Sequence, residues 1–335
     1  MTPHASIARR TSGALFLLLV LAALAAAMPA PVIADAPQRY VEPVFTSVLE
    51  SRNLPYGQAY DEHGELQTLY LDLFEPEGDT DPERPAIVLL HGGGFVSGNR
   101  TRVESWARYY ALRGYVTATI DYRLREDATF SGPTDPLFRR ALRQARYDAQ
   151  AAVRWMRRYH RVNRVDRRKI AMMGTSAGAI TALHVAYNSS DRGTSGNRGY
   201  RSDVQAVVSY AGATVRHDFM DDGDAPVLML HGTDDPIVPH KAAVRTCDAA
   251  LASGLSCDMH AYESAGHGIF FNDEYKPDLR ERTSDYLIRT LDLPTDSMTE
   301  PGRVADQAEK PGTPDHAAQI PLPNGNRSGR RGKRR

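Results

Sequence analysis

The chain has 335 residues, with 41 Lys/Arg against 41 Asp/Glu, 41% hydrophobic residues and two cysteines. That length holds one large α/β domain or two smaller ones. Without residues 1–34 (Arg9, Arg10) and 327–335 (six Lys/Arg), 33 basic residues face 41 acidic ones, a mildly acidic balance that argues against a nucleic-acid binder.

Residues 1–34 read as a signal peptide. Arg9 and Arg10 precede an uncharged apolar run from Ala14 to Ala27, and Ala25, Ala27 and Ala34 offer cleavage after Ala27 or Ala34. The alternative is an uncleaved membrane anchor, but the run rises only about 21 Å as a helix, short of a bilayer core. Pro29 and Pro31 also interrupt any extension. The protein is therefore expected to be secreted or periplasmic, with no stable membrane insertion after cleavage.

Residues 35–293 carry the pattern of one folded domain. Strand-like runs fall at Thr68–Phe74, Ala86–Leu90, Val116–Ile120, Ile170–Met173, Val204–Ser209, Val227–Leu230 and Met259–Tyr262. Helical stretches between them are Ser105–Arg113, Leu137–His160, Ala179–Tyr187, Lys241–Ser253 and Leu279–Leu291. Several strands are almost continuously apolar, as expected where helices cover both faces of a parallel sheet. The alternation predicts a doubly wound α/β fold with a mostly parallel central sheet. Residues 294–335 lack apolar periodicity and end in RSGRRGKRR, which reads as a disordered tail with a basic end.

Ligands bind open α/β sheets where strands end and loops begin. Four strand ends here carry glycines beside a hydroxyl, a carboxylate or an imidazole: HGGGF at 91–95, GTSAG at 174–178, HGTDDPIVP at 231–239 and ESAGHG at 263–268. In a strand–turn–helix elbow, Ser176 is exposed as a nucleophile, and Gly174 and Gly178 let neighbouring backbone pass closely. A serine hydroxyl needs a base, which the His267 imidazole in GHG supplies, the mobile glycine-flanked backbone letting the ring reach over. The imidazole needs a carboxylate to fix its tautomer. Asp235 is the favoured candidate, and its neighbour Asp234 the alternative. HGGG stands 85 residues before the serine and reads as an oxyanion loop.

These motifs, with DYRL at 121–124, resemble the secreted α/β-hydrolase esterases over roughly residues 60–292. The nearest likeness is to the carboxylesterase and feruloyl- or acetyl-xylan-esterase-like group, related to the hormone-sensitive lipases. The resemblance implies a Ser176–Asp235–His267 triad, no metal or cofactor, and oxyanion donors on the backbone N–H groups of Gly93, Gly94 and Ala177. Two departures bear on substrate. Thr175 stands where lipase-like relatives carry an acidic residue, and GTDDPIVP is closer to dienelactone-hydrolase and peptidase relatives than to a DPL-type acid motif.

Only 59 residues separate Ser176 from Asp235, too few for a large cap. With overhangs expected only at Asn99–Glu104 and Leu124–Arg140, the site reads as open, suited to soluble, short-acyl or polymer-linked esters. The expected function is carboxylic ester hydrolysis through an acyl-enzyme. Its rivals are a serine peptidase or amidase on the same triad and a catalytically silent binding protein. The oligomeric state stays open. In an exported chain the close pair Cys247 and Cys257 is expected to form a disulfide. DDGD at 221–224 lacks calcium-loop spacing and reads as a solvated turn, and the Arg-rich 139–168 stretch as an amphipathic helix with a charged outer face.

Overall fold

The computed structural model describes residues 38–294 except 127 and 189. The expected signal peptide and, apart from Pro294, the expected tail lie outside the described residues. The strands are β1 (Val48–Tyr60), β2 (Leu66–Pro76), β3 (Arg84–Leu90), β4 (Val116–Ile120), β5 (Val165–Thr175), β6 (Ala206–Tyr210), β7 (Val227–Gly232) and β8 (Cys257–Tyr262). The helices are α1 (Glu104–Ala111), α2 (Pro136–Arg158), α3 (Ala177–Ala186), α4 (His240–Ala252) and α5 (Lys276–Thr290).

Among the described residues these strands form one sheet in the order β1-β2-β4-β3-β5-β6-β7-β8. β2 pairs antiparallel with β1 and β4, and every pair from β4 through β8 is parallel. Successive side chains of a strand point to opposite faces, and both faces are covered. Ala86, Val88 and Leu90 of β3 join a core with α2, α3 and α4 residues such as Ala149, Leu183 and Ala250. Ile87 and Leu89 join a second core with Trp106 and Tyr110 of α1 and Leu279 and Leu287 of α5. That two-sided burial is why these strands read as unbroken apolar runs.

The expected elements are present, with two differences. β1 was not foreseen. It is an edge strand whose register shifts between Ser51 and Leu54 and again between Pro55 and Gly57. Such irregularities break the two-residue alternation, and proline is tolerated because the strand lies at an edge. β5 begins at Val165 rather than Ile170, and its start is masked by the charged run Asp166 to Lys169, of which Arg167 and Arg168 are exposed. Cys247 of α4 and Cys257 of β8 are joined by a disulfide with a Cα–Cα distance of 5.6 Å, as expected. The DDGD stretch closes on itself, with the Asp221 N–H donating to Asp224 Oδ2 and the Asp224 N–H to the Asp221 carbonyl. No helix among the described residues is long and apolar enough to cross a membrane.

Candidate active site

The GTSAG turn joins β5 to α3 at the centre of the sheet, with Ser176 at φ 54° and ψ −122°. That region is costly for a residue with a side chain, and such strain persists only where the surroundings impose it. Here the Ser176 N–H donates to the Tyr210 carbonyl at the end of β6, and the Ile180 N–H donates to the Ser176 carbonyl. A β-carbon on Gly174 would stand 2.3 Å from the Gly178 carbonyl carbon, and one on Gly178 would stand 2.4 Å from the Leu90 carbonyl oxygen. The two glycines therefore let α3 start directly against the ends of β5 and β3, which lifts the serine hydroxyl clear of the sheet.

His267 arrives from the loop after β8. Ile269 and Phe270, just beyond it, are buried, and Phe270 stacks on Trp106 at 4.6 Å. On the other side the loop is stitched to the end of β7: the Thr233 N–H donates to the Tyr262 carbonyl, the Asp234 N–H to the Ala265 carbonyl, and the Ser264 N–H to Thr233 Oγ1. Gly232 is required for this approach, since a β-carbon there would meet the Ala265 oxygen at 2.2 Å. The glycines flanking His267 have no such role, because a β-carbon on Gly266 or Gly268 meets nothing within 4 Å. The ring thus reaches over on a stitched, core-anchored loop, not on the mobile glycine-flanked backbone that GHG suggests.

The structure brings the three predicted side chains together. His267 Nε2 lies 2.8 Å from Ser176 Oγ, and His267 Nδ1 lies 2.7 Å from Asp235 Oδ2. The Asp235 side chain is fully buried, and its Oδ1 accepts the N–H groups of Ile237 at 2.8 Å and Val238 at 2.9 Å. Asp234 is exposed and points no carboxylate at His267. With its Nδ1–H held by a carboxylate, the His267 ring presents Nε2 to the hydroxyl in the tautomer a base requires.

The HGGGF loop packs on the elbow. A β-carbon on Gly92 would lie 3.2 Å from Ser176 Cβ, and one on Gly98 would lie 2.5 Å from the Gly92 carbonyl oxygen. Gly93 (φ 128°) and Gly94 (φ 62°) turn the loop back, closed by Val96 and Ser97 N–H groups on the Gly93 carbonyl. Among the described residues no acceptor takes the N–H of Gly93, Gly94 or Ala177. DYRL braces this loop from beneath: the Tyr122 ring stacks on His91 at 4.3 Å, and its hydroxyl donates to the His91 carbonyl at 2.8 Å. Burial pushes the His91 imidazole pKa down, so it stays neutral under the loop. Arg123 in turn forms a buried pair with Asp148 of α2, 2.7 Å away.

Sequence reasoning did not single out His231, whose buried ring stands 3.2 Å from Asp235 Oδ2. The signal was its place four residues before the acid, at the end of the same strand. Of the expected overhangs, Asn99–Glu104 is pinned by Arg100, which pairs with Asp121 and Asp72, and Leu124–Arg140 leads into α2 through Asp135, whose side chain caps the helix. Among the described residues no group of three or more His, Cys, Asp or Glu is placed to hold a metal.

Residues 71–219 match the model of the BD-FAE family, a stretch that holds HGGGF and Ser176 and ends before Asp235 and His267. Esterase LipI of Mycobacterium tuberculosis is 30% identical over 112 residues, 33% of this chain and 31% of that protein. The probable dipeptidyl-aminopeptidase B of Arthroderma gypseum is 24% identical over 241 residues, 64% of this chain and 25% of its own length. The chain thus spans a third or less of either relative. Among solved structures, Thermogutta terrifontis esterase 2 phosphoramylated by tabun superposes with a TM-score of 0.59 at 22% identity, covering 74% of this chain and 96% of that one. The butyrate-bound form of the same enzyme gives 0.58 at 20% identity, with 77% and 95% covered. By these likenesses the chain has the fold of the Thermogutta esterase, an α/β-hydrolase fold, and is similar in sequence to the BD-FAE family over residues 71–219.

Proposed function

We propose that the protein is an exported serine esterase that cleaves carboxylic esters through an acyl-enzyme. The observation that carries this reading is the hydrogen-bonded chain Asp235–His267–Ser176, with links of 2.7 and 2.8 Å. Ser176 Oγ attacks the ester carbonyl carbon while His267 Nε2 takes its proton, and Asp235 stabilises the imidazolium. The carbonyl oxygen becomes an oxyanion held by the N–H groups of Gly93, Gly94 and Ala177. Collapse expels the alcohol, which receives the proton from His267. Water, deprotonated by the same nitrogen, then releases the acid and restores the serine. The unclaimed N–H groups beside the elbow support the oxyanion role, and the Cys247–Cys257 disulfide supports export.

Short-acyl or carbohydrate-linked esters are the proposed substrates, in keeping with the absence of a long insertion between Ser176 and Asp235 and with the butyrate held by the Thermogutta esterase. A second reading, a peptidase or amidase, draws on the likeness to the dipeptidyl-aminopeptidase. The two separate in one assay. Purified protein is offered p-nitrophenyl esters of increasing acyl length, acetylated and feruloylated sugars, and dipeptidyl p-nitroanilides. The esterase reading expects kcat/KM to be highest on short or sugar-linked esters. Preference for the anilides would overturn it.

A further inference from the structure

We propose that His231 is a positioning residue that locks the Asp235 carboxylate in the orientation His267 needs. The inference rests on the hydrolytic reading above. His231 lies near the end of β7, its side chain fully buried, with Nε2 2.8 Å from the Val238 carbonyl oxygen and 3.2 Å from Asp235 Oδ2. A carbonyl only accepts, so Nε2 carries a hydrogen. Burial pushes the His231 pKa down, which keeps the ring neutral and leaves Nδ1 without a proton. Nδ1 has no partner among the described residues, and the ring of His240, 5.8 Å away, has an unpartnered Nε2 of its own. Among the described residues this buried imidazole therefore has one hydrogen bond, from Nε2 to the Val238 carbonyl in the acid turn, with Asp235 Oδ2 3.2 Å from the same nitrogen.

The consequence follows from counting contacts on the carboxylate. Oδ1 is fixed by the Ile237 and Val238 N–H groups and Oδ2 by His267 Nδ1, with the neutral His231 ring beside it at 3.2 Å. Because Val238 both donates to Asp235 Oδ1 and accepts from His231, the ring closes the turn that presents the carboxylate to His267. A neutral donor does this without placing a second cation beside the carboxylate to compete with the imidazolium formed during catalysis. An aliphatic residue would fill the space and leave the Val238 carbonyl without this donor.

The test compares His231→Leu, which keeps volume without a donor, with His231→Gln, whose amide reaches the position of Nε2. The net worth of a neutral hydrogen bond corresponds to roughly a three- to tenfold change in rate. We expect kcat on p-nitrophenyl acetate to fall by about that factor in His231→Leu with KM within about twofold, and His231→Gln to recover most of it. In an Asp235→Asn background, His231→Leu should cost less than about twofold more, because its effect passes through the carboxylate. If His231→Leu does not fold, His231→Asn carries the comparison, since its amide is too short to reach. Equal loss in the glutamine variant, multiplicative losses in the double variant, or full kcat in folded His231→Leu or His231→Asn would overturn the proposal. Wild-type protein with no hydrolytic activity would instead overturn the esterase reading itself.

Discussion

A methyl group added at Gly93 tests whether the HGGGF loop contributes to rate. Gly93 sits at φ 128°, and a β-carbon there would stand 1.9 Å from the Ser97 carbonyl oxygen and 2.7 Å from its carbon. Neither side can yield cheaply, because the Gly93 carbonyl accepts the Val96 and Ser97 N–H groups at 3.1 and 3.0 Å. Restoring ordinary van der Waals contact requires a shift of roughly 1.5 Å, whereas a useful oxyanion donor must stay within a few tenths of an ångström of its place. Losing one such donor costs on the order of 10²–10³ in turnover. Gly93→Ala should therefore lower kcat by at least about tenfold, toward that range, with KM little changed and Ser176 still labelled by a fluorophosphonate. Backbone strain should cost roughly 1–3 kcal/mol of stability, so a thermal melt accompanies the kinetics. Gly78→Ala is the control, since Gly78 also has positive φ but its β-carbon meets nothing within 4 Å; it should keep full kcat. A folded Gly93→Ala enzyme with full kcat on small esters would show that HGGG is only a turn.

Three further expectations concern the acid, the disulfide and pH. Asp235→Asn should reduce kcat by about 10⁴-fold, as loss of the orienting carboxylate does in a comparable triad, while Asp234→Asn, at an exposed position, keeps most activity; the reverse ranking would move the role to Asp234. Reduction of Cys247–Cys257 should raise the intact mass by about 2 Da and cost about 3 kcal/mol by loop entropy, read as a lower melting temperature. Two titratable thiols in the unfolded, unreduced protein would contradict the bond. Burial of His184 in α3 lowers its pKa to about 4. The unfolded chain takes up that proton near pH 6.5 and the native protein does not, so stability is fully present above about pH 6.5 and falls as the pH drops toward 4, by up to about 3 kcal/mol. Urea melts at pH 7.5 and 4.5 should show the difference, and His184→Gln should flatten it; an unchanged slope in that variant would place the effect elsewhere.

Much of the fold was legible because its physics is local. β3 and β7 are buried on both faces, and that double burial writes itself into the sequence as the apolar runs Ala86–Leu90 and Val227–Leu230. β1 was hidden because it pairs on one side only, bulges twice and contains Pro55, so neither alternation nor composition marks it. The start of β5 was hidden by four charged residues, Asp166 to Lys169, over which the register with β3 shifts. At the site, GTSAG and HGGGF were legible because close backbone approach admits only glycine. GHG was legible for a different reason than its glycines suggested, since Gly232 and the buried Ile269 and Phe270 position the ring. The choice between Asp234 and Asp235 rests on which carboxylate the turn directs inward, and the place of His231 on how that turn folds back over the end of β7. Neither has a sequence period to announce it.

The central claim is that Ser176, activated by His267 and Asp235, is the attacking atom. The most direct measurement is mass spectrometry of the protein after exposure to a fluorophosphonate, followed by peptide mapping. The account predicts a single adduct, located on the Lys169–Leu183 stretch at Ser176, absent in Ser176→Ala and greatly slowed in His267→Ala. An adduct on another serine, or equal labelling of Ser176→Ala, would contradict it.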